Sequence, residues 1–114
     1  MLLREYLKKQ HFKLSYSDLL KLFTDISNEM LSKYPNENCS FSLDNIKISK
    51  KNFSYNGKTT SNIPWKRSLV LLIIECLTGV KMVDYDEKYI EPLHGTKLYW
   101  ALKRAINEKI MLII

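Results

Sequence analysis

Several groups of residues in this 114-residue chain are of types that do chemistry. Cys39 with His11 or His94 could form a thiol–imidazole pair, in which the base takes the proton of the nucleophile. Such a pair needs contact in space, which separation along the chain does not supply. Asp84, Asp86 and Glu87 place three carboxylates in one short stretch, as a calcium site would. The spacing of a calcium-binding loop and its turn glycine are missing, so the stretch reads as a solvated acidic loop with no metal. Lys47, Lys50, Lys51, Phe53, Tyr55, Lys58, Lys66 and Arg67 interleave cations with aromatic rings. That mixture can hold an anionic partner by charge, and single-stranded nucleic acid by charge and stacking. Asn45 ends the polar part of NCSFSLDNIKI, residues 38–48, where an asparagine commonly hydrogen-bonds the backbone of its own loop.

Elements must position these groups, and composition bounds what those elements are. The length suits one domain, residues 1–114, with a modest core. Apolar content near half, with charges of both signs, marks a globular chain. The net charge of +6 permits binding to nucleic acid or another anionic surface without requiring it. Its distribution is uneven: between Asp44 and Glu75 every charged residue is basic, and the acids Asp84, Asp86, Glu87 and Glu91 gather later. Two cysteines are too few for a disulfide framework or a zinc site, and Cys76 lies in an apolar run that reads as core. Arg4 and Glu5 come too early for a secretory signal. The run SLVLLIIECLTGV, residues 68–80, is short for a membrane span and carries Glu75. The expectation is a soluble, cytoplasmic protein that makes no use of a membrane.

Residues 2–9 suit a short helix. The stretch Ser15-Tyr16-Ser17-Asp18 offers an N-cap, with Asp18 favourable in the first turn, and Leu19, Leu22, Phe23, Ile26 and Met30 then recur at helical spacing. An amphipathic helix is predicted over 17–33, ending before Pro35. Ile46 and Ile48 alternate with polar residues, as do Phe53 and Tyr55, and Lys50-Lys51 separates the two runs. This predicts a small β-hairpin. NGKTTSN, residues 56–62, reads as a loop. Pro64 can open the next helix and Gly79 can close it. Being apolar nearly all round, that helix is expected to be buried at the centre. VDYDEKYIEPLHG reads as a polar connection. Thr96 can cap a last helix with Leu98, Leu102, Ala105, Ile106 and Ile110 along one side, and the terminal IMLII is expected to pack into the core. The fold class is therefore mainly α with a small β-hairpin, about four helices arranged around a central buried one.

This order resembles a reduced C-terminal lobe of protein kinases, along most of the chain. LLREYLKK is similar to the short helix after the kinase hinge, and LSYSDLLKLFTDISNEMLSKY to the long helix before the catalytic loop. NCSFSLDNIKIS stands where the catalytic loop H-R-D-x-x-x-x-N and its strand belong. WKRSLVLLIIECLTG resembles the helix D-x-W-S-L-G-x-x-L-x-E-L-L-T-G, with matches at Ser68, Leu69, Glu75, Leu77, Thr78 and Gly79. KLYWALKRAI resembles a later helix of the lobe.

The departures fall on the chemistry. The resemblance puts Asn38, Cys39 and Ser40 at the H-R-D positions and keeps only Asn45. A serine hydroxyl is no base at neutral pH without help. The metal-binding D-F-G falls near Tyr55-Asn56-Gly57, which carries no carboxylate. The aspartate that would anchor the catalytic loop from the buried helix is replaced by Trp65, and the sequence holds no G-x-G-x-x-G phosphate loop. Phosphoryl transfer rests on positioning and electrostatics that these groups supply. The resemblance therefore implies a non-catalytic domain of the KIND or pseudokinase kind, with no catalytic residues and no cofactor. Its expected function is protein interaction, as an adaptor, immunity protein or inhibitor that binds a larger protein with an acidic surface. The contact would run through Lys47, Lys50, Lys51, Phe53, Tyr55, Lys58, Lys66 and Arg67. A small basic nucleic-acid-binding regulator is the alternative, using the same hairpin.

Overall fold

The structure, a computed structural model, describes residues 1–33, 38–55 and 63–113, with side chains as far as residue 105. In chain order it has α1 (Leu3–Lys9), α2 (Tyr16–Lys33), a hairpin of β1 (Ile46–Ser49) and β2 (Asn52–Tyr55), and α3 (Trp65–Thr78). A 3-10 helix (Glu87–Leu93) and α4 (Lys97–Ile113) follow. This is the mainly helical architecture with one small hairpin that the sequence periodicities predict.

α2 begins at Tyr16, one residue before the predicted start, and within the expected capping stretch it is Ser15 whose Oγ accepts the N–H of Asp18 at 3.2 Å. Leu19, Leu22, Ile26 and Met30 are all buried along one stripe, while Phe23 sits half-buried on its shoulder. That stripe packs on α3, which also touches α4 and the 3-10 helix. Being surrounded explains why α3 is apolar all round. Leu69, Ile73, Ile74 and Cys76 have no exposed surface, and each aliphatic side chain so buried contributes about 1.5–3 kcal/mol. Gly79 ends the helix in the left-handed conformation, φ 80°, with its N–H donating to the Glu75 carbonyl at 2.8 Å. A side chain there would be strained, and its Cβ would lie 3.4 Å from the Phe12 carbonyl.

The connection after α3 differs from expectation. VDYDEKYIEPLHG contains the 3-10 helix, and Ile90 and Leu93 on it are fully or nearly fully buried. Their three-residue spacing places them on one face of a 3-10 turn, a signal hidden among the surrounding charges. Asp86 caps the turn by accepting the Lys88 N–H at 3.1 Å. In α4, Leu98 and Leu102 are buried and Ala105 packs against the core. The side chains of Ile106 and Ile110, and the packing expected for IMLII, lie outside the described residues, as do the turn at Pro35, the loop at 56–62 and Lys58. Among the described residues no helix is long and apolar enough to cross a membrane.

Candidate functional site

The stretch from Asn38 to Tyr55 is where the candidate residues meet, and three neighbours position it. The segment at 38–41 runs beside the start of α3: the Cys39 N–H donates to the Ile63 carbonyl at 2.9 Å, and Asn38 bridges Pro64. One turn into α3, the buried Ser68 Oγ accepts the Phe41 N–H at 2.7 Å. Ser68 thus ties this loop to the central helix. Trp65 is buried in the core. A serine at the head of the apolar run of α3 is the sequence signal for such a tie, because a buried hydroxyl needs a partner.

Asn45 holds the other end of the loop. Its Oδ1 accepts the Ser42 N–H at 2.8 Å, and its Nδ2 donates to the Ser40 carbonyl at 2.8 Å. Both ends of the amide are therefore engaged with backbone, and the side chain is nearly buried. Ser40 joins this network through its carbonyl. Its side chain lines a cleft of about 240 Å³ together with Phe41, Ser68, Glu75, Lys81 and Val83. Burial pushes the Glu75 carboxyl above the ordinary glutamate range, against a smaller opposite pull from Lys81 and Arg4. On the outer side, Arg4 grips Asp44 with two hydrogen bonds, Nε to Oδ1 at 2.6 Å and Nη2 to Oδ2 at 2.8 Å, joining α1 to the loop. That grip holds the Asp44 carboxyl below its usual range.

The hairpin has both edges closed. β1 and β2 pair antiparallel with Ile46 opposite Tyr55 and Ile48 opposite Phe53. The free side of β1 is met by the N-terminus, where the Ile48 N–H donates to the Met1 carbonyl at 2.8 Å and Leu2 bridges Lys47. The free side of β2 is met by carboxylates of α2. The Phe53 N–H donates to Asp25 Oδ2 at 2.9 Å, and the Tyr55 N–H to Glu29 Oε1 at 3.2 Å. Sequence reading missed this clamp; its signal is the acid pair at i, i+4 beside the buried stripe. An edge so covered does not offer itself to a further strand.

The tip is of another kind. Lys50 and Lys51 form the two-residue turn, and both are left-handed, with φ 52° and 65°. Turns of this form favour Asn-Gly, because a Cβ in that region costs about 1–2 kcal/mol per residue. Lysine stands at both positions, and both side chains are exposed, as is Lys47 on the outer face.

The other expected contact residues divide. Phe53 and Tyr55 are buried, with Phe53 in edge contact with Tyr6 and Tyr55 with Phe41. They face the core because the strand alternates, so neither can be a contact residue or a stacking platform for bases. Arg67 is paired with Asp84, so its charge is already answered. Lys66 lies over the Trp65 ring, 5.8 Å from its centroid. Among the described residues, no group of three or more His, Cys, Asp or Glu is placed to hold a metal ion. Cys39 is buried, and His94 meets the Tyr99 ring in a tilted contact with centroids 4.9 Å apart. Each acid of the 84–87 stretch has its own partner: Asp84 pairs with Arg67, Asp86 caps the 3-10 helix, and Glu87 pairs with Lys103.

Comparison with protein-family models, with curated proteins and with solved structures finds no match for this chain in any of the three. The resemblance to a kinase C-terminal lobe therefore rests on the sequence words and on the order of the elements.

Proposed function

We propose that this chain is a non-catalytic protein-interaction module of the degenerate kinase-lobe type, and that it docks on an acidic surface of a larger protein through Lys47, Lys50 and Lys51. The observation that carries this reading is the hairpin tip. Two lysines hold strained left-handed positions that asparagine and glycine would occupy at lower cost, on a hairpin whose strand edges are both already satisfied. Strained backbone persists where it serves something other than stability. The loop at 38–45 supports the same reading. Its asparagine and the serine of α3 maintain the loop's shape, and the position where a kinase places its base carries Ser40. Adaptor, immunity protein and inhibitor are the roles that such a module would fill within the cytoplasm.

The alternative of a nucleic-acid regulator keeps the charge of the tip but loses the stacking, since Phe53 and Tyr55 point inward. The deciding experiment uses the tagged chain as bait in nuclease-treated lysate of its native host at moderate salt. One protein retained near stoichiometry, and released by Lys50→Glu with Lys51→Glu, is the expected result. Its retention should weaken as salt rises, as charge-steered binding does. A retained protein indifferent to both substitutions would sink the docking surface. Binding that disappears with nuclease would hand the tip to nucleic acid.

A further inference from the structure

Two stretches of chain meet at the end of α3. The loop after α1 passes there: the Leu14 N–H donates to the Cys76 carbonyl at 3.0 Å, and a Cβ on Gly79 would lie 3.4 Å from the Phe12 carbonyl. Phe12 and Val80 stand on these two stretches, and both are more than half exposed. Lys8, Lys9, Lys13 and Lys81 flank them, and all four are exposed. The acids on α1, on the first turn of α2 and on the last turn of α3 are Glu5, Asp18 and Glu75. Asp18 accepts the Tyr6 hydroxyl at 2.7 Å, Glu75 is half-buried, and only Glu5 of the three is exposed. The backbone marks the same place. His11 and Phe12 are both left-handed, with φ 57° and 68°. Their N–H groups donate to the Lys8 and Leu7 carbonyls at 3.2 and 2.9 Å and so close the end of α1. Glycine would make this closure without strain, and a bulky side chain in that conformation is a rare exception. Phenylalanine stands there with its ring in solvent, while Leu14 two residues on is buried.

From this we infer that the Phe12–Val80 corner rests on an anionic lipid bilayer, with both apolar side chains entering the interface and the four lysines meeting acidic headgroups. Two apolar side chains are too little for a stable protein interface, which buries about 800 Å² on each partner. A fluid bilayer needs no shape complementarity, and each lysine near an anionic surface adds about fivefold to the affinity. Lysine stems can lie along the apolar boundary while their ammonium groups stay in water. Among the described residues no helix is able to cross a membrane, and contact at the surface requires none. The expectation of no membrane use was drawn from the lack of a span, so it does not extend to this contact. The corner is a second surface, beyond the docking proposed for the hairpin tip.

The test is cosedimentation of the chain with phosphatidylcholine vesicles, with and without about 30% phosphatidylserine, at about 0.1 M salt. Binding is expected with phosphatidylserine and not without it. Phe12→Gly suits the left-handed backbone, so it keeps the fold, and it should weaken binding at least fivefold. Lys8→Gln with Lys9→Gln and Lys13→Gln should weaken it about a hundredfold, with circular dichroism unchanged. Cys39 and Cys76 are buried, so a Phe12→Cys variant takes a nitrobenzoxadiazole label at the loop. Its emission should shift to the blue on phosphatidylserine vesicles, and further than that of a Lys51→Cys variant labelled in the same way. The inference is overturned if the chain stays in solution with both kinds of vesicle, if Phe12→Gly binds as the parent does, or if the label at position 51 shifts more than the label at position 12. Polyglutamate bound equally by the parent and by Phe12→Gly, and as tightly as the vesicles, would also overturn it, making the lysines a surface for an acidic polypeptide.

Discussion

In the loop at 38–45, polar groups turn inward: Asn45 bonds the backbone of Ser40 and Ser42, and Ser68 takes the Phe41 N–H. At the hairpin tip, Lys50 and Lys51 hold left-handed backbone with their side chains in solvent. The first region uses its polar residues to fix a shape. The second accepts a local cost to present charge. A residue retained against stability is a better pointer to function than one that the fold needs, and that criterion is why the docking surface we propose is the tip and not the loop.

Substitutions can break this contrast, and the largest effect belongs to the loop. Asn45→Ala leaves a partly buried N–H and a carbonyl without their partners and should cost about 2–3 kcal/mol in urea unfolding. Ser68→Ala should cost about 1–2 kcal/mol, since it orphans the buried Phe41 N–H. Both variants, at temperatures where they remain folded, should retain partner binding; loss of binding without unfolding would make the loop a contact surface and dissolve the distinction.

The tip should behave in the opposite way. Lys50→Asn with Lys51→Gly relieves left-handed strain and should raise stability by about 1 kcal/mol or more, while weakening partner binding. A pair of substitutions that stabilises and still binds would show that the lysine charges do nothing. Equal destabilisation would show that the lysines serve the fold.

The smallest effect is a pH slope. Burial raises the Glu75 carboxyl, so the unfolded state releases this proton at a lower pH than the folded state does. The penalty is absent below the ordinary glutamate value of about 4.3 and grows as pH rises through the higher folded value. Glu75→Gln should flatten that decline, seen as a larger gain in urea midpoint at pH 7 than at pH 4. Equal shifts at both pH values would place Glu75 in water rather than in its cleft.

Much of the fold was legible because the core is written in periodicities. The 3.6-residue stripe of α2, the alternation of β1 and β2, a cap within residues 15–18 and the Gly79 stop each depend on a local rule. The 3-10 helix was not legible, since two buried apolar residues three apart among the five charged residues of VDYDEKYIEPLHG give a weak pattern. For the site, the lysines of the tip could be named from the chain, but Phe53, Tyr55 and Arg67 were grouped with them only by proximity in sequence. A strand sends neighbours to opposite faces, and Arg67 meets an acid seventeen residues away.

By itself the sequence determined the four α-helices and the hairpin, the central place of α3 and the basic character of the stretch between Asp44 and Glu75. Those follow from residue types and short spacings, which act through local backbone preference and burial. Only the tertiary structure decided which charges remain available, because Asp25, Glu29 and Asp84 find their partners through packing between distant segments. It alone placed Ser68 under the loop, closed both edges of the hairpin and brought Phe12 beside the end of α3. Each of these depends on where helices cross, and no short stretch of chain encodes that.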